Sequence, residues 1–360
     1  MATTTTRPAV YSAVPKLTVS GQAQTGLADG LREMTVEETT AGMMHCEATL
    51  VNWGPTANGP NYLYFNRQTL DFGKPLKIEA GAGDAAGSIF EGRIMAMEGR
   101  YFRVRPPELL LLAEDRLQDL RMTRRTRTFE TISDNDVFQK VASEHGLQTS
   151  LDVTGPQYAT LSQVNQSDLA FLRERARAID AELWIDGSTL HVQARSRRKT
   201  SDLTLKFGES LYEFSVLADL ALQMSSMTVS GWDVSGKQTL TSRADDSSLT
   251  AELNGDLSGT SLLQQAVGQR DQSIVHHLPA TSAETKSLAE SEYRRTARRF
   301  LTGIGVSEGD SRIRVGVKLQ LQNLGTLFVG AYYVTRTRHT YDLVNGYRTW
   351  FEVERPGLGQ

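Results

Sequence analysis

Gln163-Val164-Asn165-Gln166-Ser167-Asp168-Leu169-Ala170-Phe171-Leu172-Arg173-Glu174-Arg175-Ala176, continued by Ala181-Glu182-Leu183-Trp184, carries the pattern on which the fold reading turns. A helix begins near Ser167. Leu169, Leu172, Ala176 and Ile179 recur at spacings of three, four and three, which is one face of an α-helix. Arg173, Glu174, Arg175, Arg177 and Asp180 fill the other faces. Two strands follow at once, 182–186 and 189–193, joined by a Gly187-Ser188 turn. The expected unit is a β-hairpin covering a helix. Its apolar stripe is core, so the stretch identifies a fold and performs no chemistry itself.

Upstream, Ser133 stands three residues before Asp136, with Ile132 before it and Val137 four positions into the helix. That is a capping box with a hydrophobic staple. The helix runs to Gly146, a natural left-handed stop, with Val137 and Val141 inward. Residues 11–105 read as β structure, with strands at 15–20, 43–53, 75–80 and 88–105. Glu98-Gly99-Arg100 is expected to turn a hairpin inside the last of these. The segments 54–61 and 81–87 are Gly-, Pro-, Asn- and Ala-rich loops.

Downstream, strand candidates lie at 204–207, 213–219 and 223–232, and a helix near 282–301 ends at Gly303. Residues 242–261, rich in Asp, Ser and Gly, read as a long loop that is mobile or ordered only by a partner. Three strands close the chain at 311–321, 326–341 and 346–354, the last two joined by a turn whose Asn345-Gly346 pair tolerates positive φ. The order is β unit, α/β middle, β unit. No short-period repeat is visible, yet the two β units have room to be structural copies without sequence identity.

At 360 residues, 39% hydrophobic and 22% charged, the chain has material for two or three cores. A net charge of -3 gives no global basic field, so nucleic-acid recognition is not expected. Basic clusters at 121–127, 195–199 and 294–299 read as solvated faces or interfaces. The single cysteine, Cys46, excludes an internal disulfide. Residues 1–8 are Thr-rich without the apolar core of a signal peptide. The longest apolar run, 109–113, is far short of the roughly 20 residues that span a bilayer, so stable membrane insertion is not expected.

No constellation suggests catalysis. The histidines His45, His145, His191, His276, His277 and His339 form no spaced metal motif, and adjacent His276 and His277 would face opposite ways in a strand. His145, at a helix C-terminus, suits the helix dipole. Gly81, Gly83 and Gly87 lack the lysine and the strand-to-helix setting of a phosphate loop. Asp245 and Asp246 lie in the polar loop, where nothing is expected to bury them. The expectation is therefore a non-enzymatic chain with no catalytic residue, no cofactor and no metal.

Three stretches carry a family resemblance. The first is Glu114-Asp115-Arg116-Leu117-Gln118-Asp119-Leu120 with Arg124-Arg125-Thr126-Arg127-Thr128-Phe129 and the capped helix to His145-Gly146-Leu147. The second is the opening stretch, and the third is Val229-Ser230-Gly231-Trp232-Asp233 followed by Lys237. The tail Phe328-Val329-Gly330-Ala331-Tyr332-Tyr333-Val334, with His339 and Gly346-Tyr347-Arg348-Thr349, fits the closing strands. Over roughly residues 100–355 the chain resembles the phage late control protein D family, the baseplate hubs of contractile tails. These are similar in turn to the N-terminal part of the VgrG spike proteins of type VI secretion.

The residues themselves give an α+β, mostly β fold, with a β unit at 1–105, an α/β middle domain at 106–200 and a β unit with one helix at 201–360; the resemblance implies that the two β units are barrel-like domains. It implies a homotrimer that adapts a six-fold tail tube to a three-fold spike. Partners would be the tube protein, a spike protein and other baseplate proteins. The chain would be assembled in the cytoplasm and then carried in a virion or secreted particle. VgrG proteins continue into a needle; here the sequence stops at Gln360, so the spike is expected to be a separate polypeptide. The competing readings are a carbohydrate-binding adhesin with Trp53, Tyr62 and Tyr64 on a sugar platform, and a cell-wall hydrolase, which needs a buried carboxylate pair.

Overall fold

A computed structural model describes residues 14–198, 202–275 and 279–359. The readings at residues 1–8, at Lys199 and at His276 and His277 lie outside the described residues. The fold is α+β and mostly β, as expected. The largest element is a 13-stranded sheet that runs through both β units.

In the first unit, strands neighbour one another in the order Leu31–Thr39, His45–Val51, Glu108–Glu114, Gly87–Arg100, Pro75–Ala80 and Lys16–Val19. In the second the order is Leu211–Ala218, Leu301–Glu308, Gly346–Arg355, Gly330–Asp342, Lys318–Gln322 and Asp202–Lys206. Numbered along the chain within each unit, these are the same order. The irregularities match too. A bulge lies between Leu31 and Glu33, and its counterpart between Leu211 and Glu213. A second lies between Ile94 and Ala96, and its counterpart between Val334 and Arg336. Gly73 (φ +77°) donates its N–H to the Ile94 carbonyl at 2.7 Å, and Gly316 (φ +94°) donates to the Val334 carbonyl at 2.9 Å. Only glycine reaches such φ values without strain. Bulges bend and twist a strand at a set place, so their repetition marks two copies of one design. One difference stands: Lys16–Val19 runs antiparallel to its neighbour, whereas Asp202–Lys206 runs parallel.

The copies are joined by Gly330–Asp342. Its early residues pair with Lys318–Gln322, and past the bulge Arg336 to Asp342 pair with Thr39 to Glu33 of the first unit. Outward-facing Glu37 takes Arg336 at 2.9 Å and Arg338 at 3.0 Å across this seam. Inward, Tyr341 and Tyr347 enter the first unit's core beside Met34, Val36 and Leu111.

The middle unit has its own core. Helix Asp134–Glu144 begins at the expected capping box of Ser133 and Asp136 and buries Val137 and Val141. Helix Asp168–Ala178 is capped by Ser167 and buries Leu169, Leu172 and Ala176. The hairpin Ala181–Asp186 and Thr189–Ala194 pairs with Gln148–Asp152 and covers the helices. A fourth core lies where helix Ser282–Ala297 packs on Ser226–Asp233 and Gln238–Ala244.

Three local readings are corrected. Glu98-Gly99-Arg100 does not turn; the strand runs through to Arg100 and the chain reverses over 101–107, because pairing with Glu108–Glu114 holds that segment extended. Residues 311–317 form turns before the strand Lys318–Gln322, and Gly325–Phe328 is one helical turn. The polar stretch 242–261 is ordered within the chain: Asp246 accepts hydrogen bonds from Ser258, Ser261 and Tyr293.

His339, 1% exposed, sits at the seam with Nδ1 2.8 Å from the Tyr347 hydroxyl. Burial, then the Arg314 charge, pull its pKa down to about 3. An unfolded histidine binds its proton near pH 6.5, so between those values the unfolded chain holds more protons and acid destabilises the fold. Stability should fall by up to about 1.4 kcal/mol per pH unit from this group below pH 6.5. Denaturant unfolding of His339→Gln measured from pH 7 to 4 should show a shallower slope than the parent; an unchanged slope would refute the assignment.

Candidate functional site

Two of the three basic clusters converge where the middle unit meets both β units. Arg298, 2% exposed, holds Glu252 through Nε at 2.8 Å and Nη2 at 2.6 Å, and Asp180 through Nη2 at 2.7 Å. Burial works against the Arg298 charge, and the bonds and fields of Glu252 and Asp180 outweigh it and keep it protonated. Arg195 pairs with Glu354 and lies 3.8 Å from the Tyr333 ring centre. Arg198 reaches Glu182 at 2.7 Å, and the same carboxylate accepts the Tyr333 hydroxyl at 2.6 Å. Arg195, Arg198 and Arg298 are thus largely covered and each is held by a carboxylate of the chain itself. Of the two readings of these clusters, solvated face or interface, the first fails for these three side chains, while Arg197 and Arg295 in the same clusters stay exposed.

The signature helix joins this junction. Arg173 donates to the Ala41 carbonyl at 2.6 Å and to the Gly42 carbonyl at 3.2 Å. Asp115, at the start of the middle unit, accepts the Met44 N–H at 2.7 Å.

The third cluster closes on Asp168, the first residue of the signature helix. Arg127 lies at 2.9 Å, Arg125 at 3.1 Å, and His145 Nε2 at 2.8 Å. Burial pushes the Asp168 pKa up, but hydrogen bonds from His145 and Gln163 and the arginine charges hold it below the ordinary carboxylate range. His145 therefore serves this carboxylate; sequence spacing could not show it, since the two are 23 positions apart. A histidine beside a buried aspartate could orient a proton acceptor, but here the same carboxylate is already occupied by two guanidiniums.

Other flagged residues disperse. Ala85, in the loop 81–87, accepts both the N–H (3.1 Å) and hydroxyl (2.8 Å) of Ser311, so this loop docks on the second β unit and is no free connector. His191 stacks on Trp184, and burial lowers its pKa. Asp245 is exposed and Asp246 partly buried, the latter by the bonds given above. Among the described residues no three or more His, Cys, Asp and Glu side chains gather as metal ligands, and no helix is long and apolar enough to cross a membrane.

Aromatic residues do gather at the surface. Tyr62 lies 5.2 Å from Trp53, 5.1 Å from Phe65 and 6.3 Å from Tyr101, ring centre to ring centre. Tyr64 does not join them; it is buried, with its hydroxyl on the Gly26 carbonyl at 3.1 Å. Phe65 and Tyr101 complete a cluster that the sequence order hid.

Residues 31–342 match the family model of the Alg8 N-terminal domain. The chain belongs to that family. No curated protein matches it. Solved structures share the fold of this Alg8 N-terminal domain family member. The 43 kDa tail protein of prophage MuSo2 from Shewanella oneidensis aligns at a TM-score of 0.69 and 12% identity, over 95% of this chain and 98% of that one. The tail protein from Neisseria meningitidis MC58 aligns at 0.68 and 12%, over 96% and 97%. The E. coli c3393 protein, a type VI secretion component described as similar to the phage T4 tail proteins gp27 and gp5, aligns at 0.61 and 11%, over 94% and 76%. The expected likeness to phage tail and type VI secretion proteins is present at the level of fold.

Removing Arg298 would leave Asp180 and Glu252 charged and enclosed, which costs about 3–5 kcal/mol for a buried pair. Arg298→Ala should lower the urea midpoint accordingly, and Arg298→Lys, unable to form the fork, should recover only part. A shift under about 1 kcal/mol for Arg298→Ala would show the junction to be solvated.

Proposed function

We propose that this chain is the baseplate hub of a contractile injection machine or phage tail, a relative of the late control protein D family. It builds a three-fold ring that joins a six-fold tube to a spike and performs no catalysis itself. The observation that carries the reading is the duplicated β unit, alike in strand order, bulges and turn glycines. Three chains of two like units offer six like positions on one face and three on the other, which is what a join between six-fold and three-fold bodies requires. The fold shared with phage tail proteins supports it. So does the buried arginine junction, which ties the units into fixed relation. Its partners would be the tube protein, a spike and other baseplate proteins, within a virion or secreted particle.

The exposed aromatic cluster gives the sugar-binding reading its one support, weakened by the loss of Tyr64 from the platform. Light scattering of the purified chain should give a trimer mass, alone or with its spike, and particle images should locate the chain at the tube base. A chain that stays monomeric with tube and spike proteins and is missing from particles would overturn the hub. Glycan binding lost on Trp53→Ala would favour the adhesin.

A further inference from the structure

Beside the arginine junction the chain sets out more guanidiniums than it has carboxylates to match. A cavity of about 280 Å³ opens there, and all parts of the fold contribute to its wall. Thr40 comes from the first β unit, Arg177 and Asp180 from the middle unit, and Glu354 from the second β unit. Arg299 follows the end of helix Ser282–Ala297.

The carboxylates that line this cavity are each engaged already. Asp180 holds Arg298, Glu182 holds Arg198, and Glu354 holds Arg195. Arg295, also on the wall, pairs with Glu292. Two guanidiniums are left over. Arg177 and Arg299 are both exposed, and among the described residues neither makes a hydrogen bond or an ion pair. Thr40 on the same wall likewise makes no side-chain hydrogen bond among the described residues.

Two exposed arginines need no ligand by themselves, but here a third charge presses on them. Arg173 stands one helical turn before Arg177, and like charges four residues apart weaken a helix. Arg173 forms no ion pair among the described residues; its hydrogen bonds go to the Ala41 and Gly42 carbonyls. Burial, and then the Arg177 charge, lower the Arg173 pKa. Ala41 is itself on the cavity wall. The chain therefore places cations side by side and supplies no anion between them. A concave wall of one sign raises the local concentration of the opposite sign. Guanidinium forks suit an oxyanion, because each can donate two parallel hydrogen bonds to it.

We infer that this cavity binds a small divalent oxyanion, held by Arg177 and Arg299 with Thr40 as a third donor. Two uncompensated cations match two negative charges. Phosphate and a pair of carboxylates share this chemistry. Bound there, the anion joins the first β unit, the middle unit and the end of helix Ser282–Ala297, so occupancy adds to stability by mass action. The site needs only the fold of one chain and does not rest on the hub reading.

The test is titration calorimetry of the full chain with inorganic phosphate at fixed ionic strength, repeated with succinate, a dicarboxylate. Binding should saturate at one anion per chain. Arg177→Gln and Arg299→Gln should each weaken it about tenfold or more, the worth of one charge-assisted hydrogen bond. Both side chains are exposed, so without anion each variant should unfold at or slightly above the parent's urea midpoint. Thr40→Val, which removes only a hydroxyl, should weaken binding by a smaller factor. Tighter binding of phosphate assigns the site to free phosphate or a phosphorylated small molecule. Tighter binding of succinate assigns it to carboxylates. If neither anion saturates, or if both arginine variants respond as the parent does, the effect is that of salt in general and the site is overturned.

Discussion

A strand inside a sheet must satisfy hydrogen bonds along both edges, and Gly330–Asp342 does so with two different units. Everything larger follows from this shared strand. The bulge at Thr335 bends it between the two partners, so its first residues complete the second unit and its last complete the first. Because side chains alternate across the sheet, a slip of one residue would exchange His339 and Thr337 for Arg338 in the core. Burial of His339, Thr337 and Tyr341 on one face, with Arg336 and Arg338 paired to Glu37 on the other, makes one register far better than its neighbours.

What the sequence made legible was local. The capping box of Ser133 and Asp136 and the stripe of Leu169, Leu172 and Ala176 act over one or two turns, so spacing alone shows them. The hairpin after the signature helix is legible for the same reason, with its turn at Gly187. The seam was not, since Arg336 and Glu37 stand 299 positions apart and nothing in either strand names its partner. The duplication was hidden because it resides in strand order and bulge position. Val216 and Val36 share a residue type, but Leu217 and Glu37, equally equivalent, do not.

Composition misled where a partner lay elsewhere in the chain. The stretch 242–261 is polar enough to suggest disorder, yet Asp246 collects donors from Ser258, Ser261 and Tyr293 and so fixes it. The arginine clusters read as solvated faces or interfaces for the same reason. A guanidinium shows its environment only when its carboxylates are located, and Arg298 draws on Asp180 and Glu252, 118 and 46 positions away.

The use of arginine at the junction is itself an argument about mechanical role. Replacing a buried ion pair by apolar side chains of similar volume is often neutral or stabilising, so stability alone does not call for it. An apolar contact, however, loses little when one body slides or rotates by an ångström. A forked guanidinium held on two carboxylates loses its bonds at once, since hydrogen bonds weaken steeply with misalignment. Arg298 on Asp180 and Glu252, and Arg195 and Arg198 flanking Tyr333, therefore fix orientation more than they add adhesion. A single-unit protein gains little from that. A chain that closes into a ring with other copies, as proposed for this one, would gain far more, because an angular error within one chain is repeated at every contact.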